Sequence, residues 1–467
     1  MVLFSLFLSI IIGVLSTNNI GVFILFFLFS LLFLIIFSLK KSLVKLIVSM
    51  YVFITILIPK AGIKLLGLPI TISNILLGIA LLTSFIFWLG YKQELKLTSK
   101  TDLFITRYLY VSFFYFGMIL LLSLFEYDLT SILIKFIPNI SPIISLFFIY
   151  HFFRDDYEKM NKILITSSLL LVLYGTIQFL FGHYETVIPG ITVNYSDYLQ
   201  GDVFEGKNNV TAVGLKLVST YQNGNLYGSV LIFISIFVIG LFLIKGHKIK
   251  YKPLLLLIGL LAVINLIATL SRSALIGFVL GLLTMSLFIK KIRKYVILIT
   301  ALGIYGIYAF GFDKRIFAKD VTAAGRTIQY ENYVNSFLKM DFLEKLRFLF
   351  IGKGLGFDYQ LYDGYMLSIV ESGILNLILY SGIIGLIIYL VPLLYTFIQL
   401  IKWKQRDYKF IIAVSLFSSL IGMWGQMTID QLLNLPPTGQ NYWIILSLLL
   451  LYIRDKDHSQ QQNQMSC

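Results

Sequence analysis

Residues 253–289 read PLLLLIGLLAVINLIATLSRSALIGFVLGLLTMSLFI. Two apolar runs, 253–270 and 274–289, flank Ser271-Arg272-Ser273. Each run is close to the roughly 18–20 residues that a helix needs to cross ~30 Å of hydrocarbon. The joint between them is three residues long, so the pair forms a hairpin that returns to the side it came from. The runs are continuous and do not alternate with a period of two, which argues for helices and against a membrane β-barrel.

The same pattern repeats outward in both directions. Apolar runs occupy 2–16, 21–38, 43–58, 72–90, 108–125, 132–153, 164–182 and 227–244 before the hairpin. After it come 295–311, 374–401, 410–427 and 441–453. The chain of 467 residues is 58% hydrophobic and only 13% charged, far more apolar than a soluble domain requires. The expected fold is all-α: a polytopic integral membrane helical bundle of about 14 transmembrane helices. Pro138 and Pro142 are expected to break the run at 132–153. The Gln-rich end after Arg454 is expected to be disordered.

Charge orders the loops. The net charge of +15 is concentrated in alternate short loops, such as those around Lys40, Lys159, Lys248, Lys291 and Lys404. Positive loops stay in the cytoplasm. Both termini are then cytoplasmic, and two long loops, 183–226 and 312–373, are extracytoplasmic. The organisation expected is 1–182, N-terminal transmembrane helices; 183–226, first long loop; 227–311, central transmembrane helices; 312–373, second long loop, carrying the chemistry; 374–467, C-terminal transmembrane helices and tail. The same charge rule accounts for the basicity without nucleic acid. Cys467 is the sole cysteine, and the four histidines are scattered, so no metal site and no cofactor are expected.

Candidate site residues lie in the long loops and at the hairpin. Arg272 is the one cation in 253–289; it either serves a site or snorkels at the interface. Lys216 precedes Asn223-Gly224-Asn225, a turn that either offers donors to an anion at a helix N-terminus or simply caps that helix. Tyr330, Tyr333, Val334, Phe337 and Leu338 predict a short amphipathic helix in the second loop, with Arg326 in its first turn. Gly352-Lys353-Gly354-Leu355-Gly356 permits positive φ and tight packing; as a phosphate cradle it is weak. Asp363 and Glu371 stand eight residues apart and share a face if the segment is helical. Glu371 heads an apolar run, a setting that raises a carboxylate's pKa and suits a general base.

Leu270-Ser-Arg-Ser-Ala274, Gly325-Arg326, Gly352-Lys-Gly-Leu-Gly356, Glu371-Ser-Gly-Ile-Leu375 and Gly382-Ile-Ile-Gly385 follow one another in an order and spacing that resemble the bacterial O-antigen ligase and O-antigen/capsule polymerase family. The resemblance covers about residues 205–400. It implies a glycan donor on undecaprenyl pyrophosphate, transfer at the outer face of the cytoplasmic membrane, and no metal or nucleotide sugar. Arg272 and Arg326 match the family's loop arginines, expected on the pyrophosphate together with Lys216, Asn223 and Asn225. Lys216 stands where many members have arginine. Glu371 stands where ligases carry histidine, which points to a polymerase, with Glu371 or Asp363 as base. Expected partners are the lipid-linked oligosaccharide, membrane lipid, a chain-length regulator and other polysaccharide-assembly proteins. The alternatives are ligation to another acceptor, and a flippase of lipid-linked oligosaccharide.

Overall fold

The computed structural model describes residues 41–59, 62–65, 68–91, 99–188, 191, 210–211, 214–244, 252–297, 301, 321–430 and 438–465. The expected spans 2–16 and 21–38 lie outside the described residues, as does nearly all of 295–311.

The helices are α1 (Lys41–Leu57), α2 (Ile72–Tyr91), α3 (Lys100–Leu124), α4 (Leu129–Phe153), α5 (Tyr157–Phe181), α6 (Gly224–Leu243), α7 (Lys252–Ala268), α8 (Arg272–Phe288), α9 (Val321–Lys339), α10 (Phe342–Phe350), α11 (Gly373–Ile401), α12 (Tyr408–Met427) and α13 (Thr438–Met465), with a 3-10 turn at Lys290–Ile292. Six of them, α3, α4, α5, α6, α11 and α12, are long and apolar enough to cross a membrane, the build of a multi-pass membrane protein. The architecture is not purely helical. Among the described residues three two-stranded antiparallel hairpins sit in the connections: β1–β2 (Gly62–Leu65, Leu68–Thr71), β3–β4 (Val210–Thr211, Gly214–Leu215) and β5–β6 (Tyr359–Tyr362, Tyr365–Ser368).

α6 is apolar on every side and is buried nearly throughout, from Gly224 to Leu241. Such a helix belongs in the middle of a bundle. The buried run Tyr442–Ile453 of α13 forms a second central post. Phe114, Leu121, Leu180, Ile276 and Ile401 are exposed on the peripheral helices, as lipid-facing side chains are.

Small residues set the closest helix approach. A Cβ on Gly277 of α8 would lie 2.4 Å from the Gly422 carbonyl of α12, and one on Gly281 would lie 2.8 Å from the Ser418 carbonyl. Gly277-xxx-Gly281 thus packs on Ser418-xxx-Gly422 backbone to backbone, the usual way apolar helices associate without a hydrophobic driving force.

Three expectations are corrected. α4 runs through Pro138 and Pro142 without a break. There Asn139 Nδ2 donates to the Lys135 carbonyl (2.7 Å), and Ser145 Oγ donates to the Pro142 carbonyl (2.6 Å). The prolines free the carbonyls of Ile134 and Pro138 four residues back, a loss that an apolar helix tolerates where neighbouring helices pack around it. α13 continues through the tail to Met465, where Lys456 and four glutamines are good helix formers. The segment before Glu371 is a hairpin rather than a helix. Asp363 (φ +48°) and Gly364 (φ +81°) form its two-residue turn, so Asp363 and Glu371 share no helical face.

The loops separated by charge gather at opposite ends. At one end Lys45 pairs with Asp156 (2.5 Å), Lys409 with Asp455 (2.5 Å), and buried Arg454 with buried Asp102 (3.0 Å). At the other, Tyr221 donates to the Ile56 carbonyl (3.0 Å), Gln440 Nε2 to Asn74 Oδ1 (2.8 Å) and the Leu355 amide to Ser123 Oγ (2.8 Å).

Candidate functional site

The second of these ends holds the polar residues singled out in the sequence. α7 and α8 are joined only by Thr269-Leu270-Ser271, and so tight a return forces Leu270 into the left-handed region (φ +52°). Ser271 Oγ then accepts the Ala274 amide (3.3 Å) and caps α8, leaving Arg272 as the first helical residue, half-buried. A cation there opposes the helix dipole, so the local helix does not explain it.

The loop before α6 presses on this turn. The Leu217 amide donates to the Ala268 carbonyl (3.1 Å). Gly224 has to be glycine, because a Cβ would lie 2.8 Å from both Lys216 Cβ and the Thr269 carbonyl. His183 Nε2 contacts the Lys216 carbonyl (2.9 Å), and since a carbonyl only accepts, Nε2 carries the proton. Burial holds the His183 imidazole below its ordinary value.

The two asparagines part company. Asn223 Oδ1 accepts the Leu226 amide (2.9 Å) and is the N-cap of α6, which is the capping alternative. Asn225 instead enters a polar chain. Its Oδ1 accepts from Lys216 Nζ (3.4 Å), and its Nδ2 donates to Asp430 Oδ1 (3.3 Å). Gln426 Nε2 donates to its carbonyl (2.8 Å). The other carboxylate oxygen of Asp430 accepts from Ser273 Oγ, which lies 3.1 Å from Ser271 Oγ. The Asp430 carbonyl accepts the Gly373 amide (3.2 Å), tying the start of α11 to the end of α12.

Asp430 is therefore the hub. It is 5% exposed, bonds groups of α6, α8 and α11 directly, and through Asn225 reaches Lys216 in the loop before α6. The sequence did carry a signal for it. Asp430 is the only acidic residue from Tyr408 to Arg454, adjoining an apolar span, and lone carboxylates in that position are usually functional.

Glu371 stands two residues before Gly373. The backbone on both sides of it is fixed. Asn376 bonds the amide and carbonyl of Val370 (2.9 and 2.5 Å), and Ser372 caps α11. The Glu371 amide donates to Gln329 Oε1 (3.1 Å), which brings α9 alongside. Because α9 begins at Val321, Arg326 lies in its second turn rather than the expected first, three residues before Gln329; its side chain is outside the described residues. The expected amphipathic helix is thus present, with a divided apolar stripe. Tyr333 and Phe337 pack on Phe348 of α10, whereas Val334 and Leu338 are exposed.

Asp363 is elsewhere, exposed at the β5–β6 turn and paired with Lys339 (2.7 Å), whose ammonium holds its carboxyl below the ordinary value. The Gly352–Gly356 loop is likewise occupied by its own chain. Gly352, Gly354 and Gly356 all take positive φ. A Cβ on Gly352 would lie 2.7 Å from α11 backbone at Leu379–Ser381. The Lys353 amide donates to the Leu379 carbonyl (2.7 Å), where α11 is kinked by Gly382 (φ +62°). Buried Lys353 pairs with Glu344 and Tyr362. These glycines serve packing, and no phosphate cradle is formed.

No family model matches the chain, and the search of curated proteins finds no match.

Proposed function

We propose that the chain is a polysaccharide polymerase of the O-antigen or capsule type. It transfers a growing glycan from a polyprenyl-pyrophosphate donor to a sugar hydroxyl of a lipid-linked repeat. The observation that carries this reading is the chain Lys216–Asn225–Asp430–Ser273, which sets Lys216 and Arg272 together at one polar end of an apolar bundle. Fixed cations at a bilayer boundary suit a leaving pyrophosphate whose lipid tail stays in the membrane. Arg272 and Arg326 bind the pyrophosphate by their planar forks and Lys216 as a point charge.

In the reaction the acceptor hydroxyl attacks the anomeric carbon. The bond from that carbon to the pyrophosphate oxygen breaks, the lipid pyrophosphate leaves, and Glu371 takes the hydroxyl proton. Glu371 is favoured over Asp363 as base because it is half-buried on the segment tied to Asp430, whereas Asp363 sits on an exposed turn in an ion pair. The same carboxylate in place of the histidine of similar ligases favours polymerisation over ligation. Candidate site cations at one end, rather than along central spans, favour an enzyme over a flippase. With about 14 spans and cytoplasmic termini, the site faces outward from the cytoplasmic membrane.

Replacement of Arg272 tests the proposal. Arg272→Ala abolishes polymer in cells while the protein stays in the membrane, and Arg272→Lys restores it only in part. Full polymer in Arg272→Ala would make Arg272 a mere marker of the turn.

A further inference from the structure

α10 has the sequence FLEKLRFLF, and its two sides differ. Phe348 is buried against Tyr333 and Phe337, and Glu344 on the same side pairs with Lys353. Opposite them, Phe342 and Leu343 are 73% and 75% exposed, and Leu346 and Phe350 are exposed with them. On a helix of 3.6 residues per turn these four side chains span about 100° of arc. Lys345 lies about 60° beyond one edge and Arg347 about 40° beyond the other. An apolar face flanked by long cations is the build of a helix lying in the membrane interface, where the aliphatic stems pack on acyl chains and the charges reach the phosphates.

The fixing of α10 says what meets that face. Arg347 pairs with Glu126 just beyond the end of α3. The Phe350 carbonyl accepts from Tyr115 of α3 (3.1 Å), and a Cβ on Gly382 of α11 would lie 2.3 Å from the Phe350 carbonyl carbon. α3 and α11 are both long enough to cross the membrane. Around these contacts their exposed side chains are Leu121, Leu124 and Phe125 on and after α3, and Ile383 and Ile384 beside Gly382 on α11. The exposed face of α10 is thus tied to the end of the apolar band that two spanning helices present to acyl chains.

We infer that α10 lies in the bilayer interface, with Phe342, Leu343, Leu346 and Phe350 among the lipid chains and Lys345 and Arg347 at the level of the phosphates. The partner is the lipid surface itself. This anchor is independent of catalysis. It fixes the height of the following segment, 351–371, relative to the membrane.

The test uses full-length protein in lipid nanodiscs. Since Cys467 is the only cysteine, Cys467→Ser gives a clean background for single spin labels. Labels at Leu343→Cys and Leu346→Cys are compared with Leu121→Cys on α3 and with Glu331→Cys on the exposed polar side of α9. Collision with oxygen, which partitions into lipid, is measured against collision with a water-soluble nickel chelate. The expected result is an oxygen-to-nickel ratio at 343 and 346 matching that at 121, reversed at 331. A nickel-favoured ratio at 343 and 346 would place the face in water. Exclusion of both reagents would mean that protein covers it. Either result overturns the inference.

Discussion

The α8–α12 seam is the most exacting test of the geometry, because both arms of the site depend on it. Gly277→Ala adds one methyl where the Gly422 carbonyl would be 2.4 Å away and Ile232 Cδ1 2.8 Å away. The near neighbour is backbone and cannot rotate aside, so the helices must part by about 1 Å to reach an ordinary contact. Overpacking of this kind costs about 1–3 kcal/mol. The opening is transmitted to the site, because Ser273 is four residues from Gly277 and Asp430 is eight from Gly422. An opening of ~1 Å breaks the bond from Ser273 to the Asp430 carboxylate, and bonds to charged groups are worth about 1.5–3 kcal/mol. Misplacement of catalytic groups by ~1 Å lowers turnover by roughly 10²-fold. Gly117→Ala is the control. It is also mid-helix, in α3, but nothing lies within 4 Å of the added methyl. It should be neutral, or stabilising by up to about 1 kcal/mol through helix propensity. Thermal unfolding of the purified variants measures the first effect, and polymer formation measures the second. If Gly277→Ala unfolds and polymerises like the parent, the seam is not the close contact described.

Three further outcomes follow from the same geometry. Cysteine at Glu185, at the site end, should react with an impermeant thiol reagent in cells lacking an outer-membrane barrier, while Cys467 stays protected; the opposite pattern inverts the topology. Glu371→Gln should stop chain growth by roughly 10²–10⁴-fold, with single lipid-linked repeats accumulating, whereas Asp363→Asn at the hairpin turn retains activity; the reverse pair of results moves the base to Asp363. Burial keeps the His183 folded-state pKa below its ordinary 6.5, so below that pH the unfolded chain binds the proton first and stability falls as pH falls. His183→Gln should flatten the loss between pH 7 and 5 in thermal unfolding, and an unchanged pH profile would remove His183 as its source.

Much of the helical frame was legible because composition alone decides it. A run such as 43–58 or 72–90 has few options in lipid other than a helix, and α1 and α2 fall within a residue or two of those limits. The turn at Asp363-Gly364 is also legible, since an Asp-Gly pair between Tyr-rich strands is a strong hairpin signal that outweighs the helical spacing of Asp363 and Glu371. Pro138 and Pro142 carry no local sign that the helix tolerates them, because part of the packing around them comes from another helix: Tyr389 of α11 donates to the Asn139 carbonyl (3.2 Å). The site was half legible. Lys216, Asn225 and Arg272 announce themselves as polar groups in apolar surroundings. Asp430, which links them, is over 150 residues away from Ser273 in the chain. It reaches Ser273 only because Gly277 and Gly422 let two helices touch. No local pattern records such a contact.

The most direct test is made with the purified protein in nanodiscs and a single lipid-linked repeat unit as the only substrate, with no nucleotide sugar. A polymerase produces a ladder of lipid-linked glycans and releases one polyprenyl pyrophosphate for every linkage formed, and Arg272→Ala produces neither. Consumption of no repeat, or movement of the repeat between leaflets without any ladder, would contradict it.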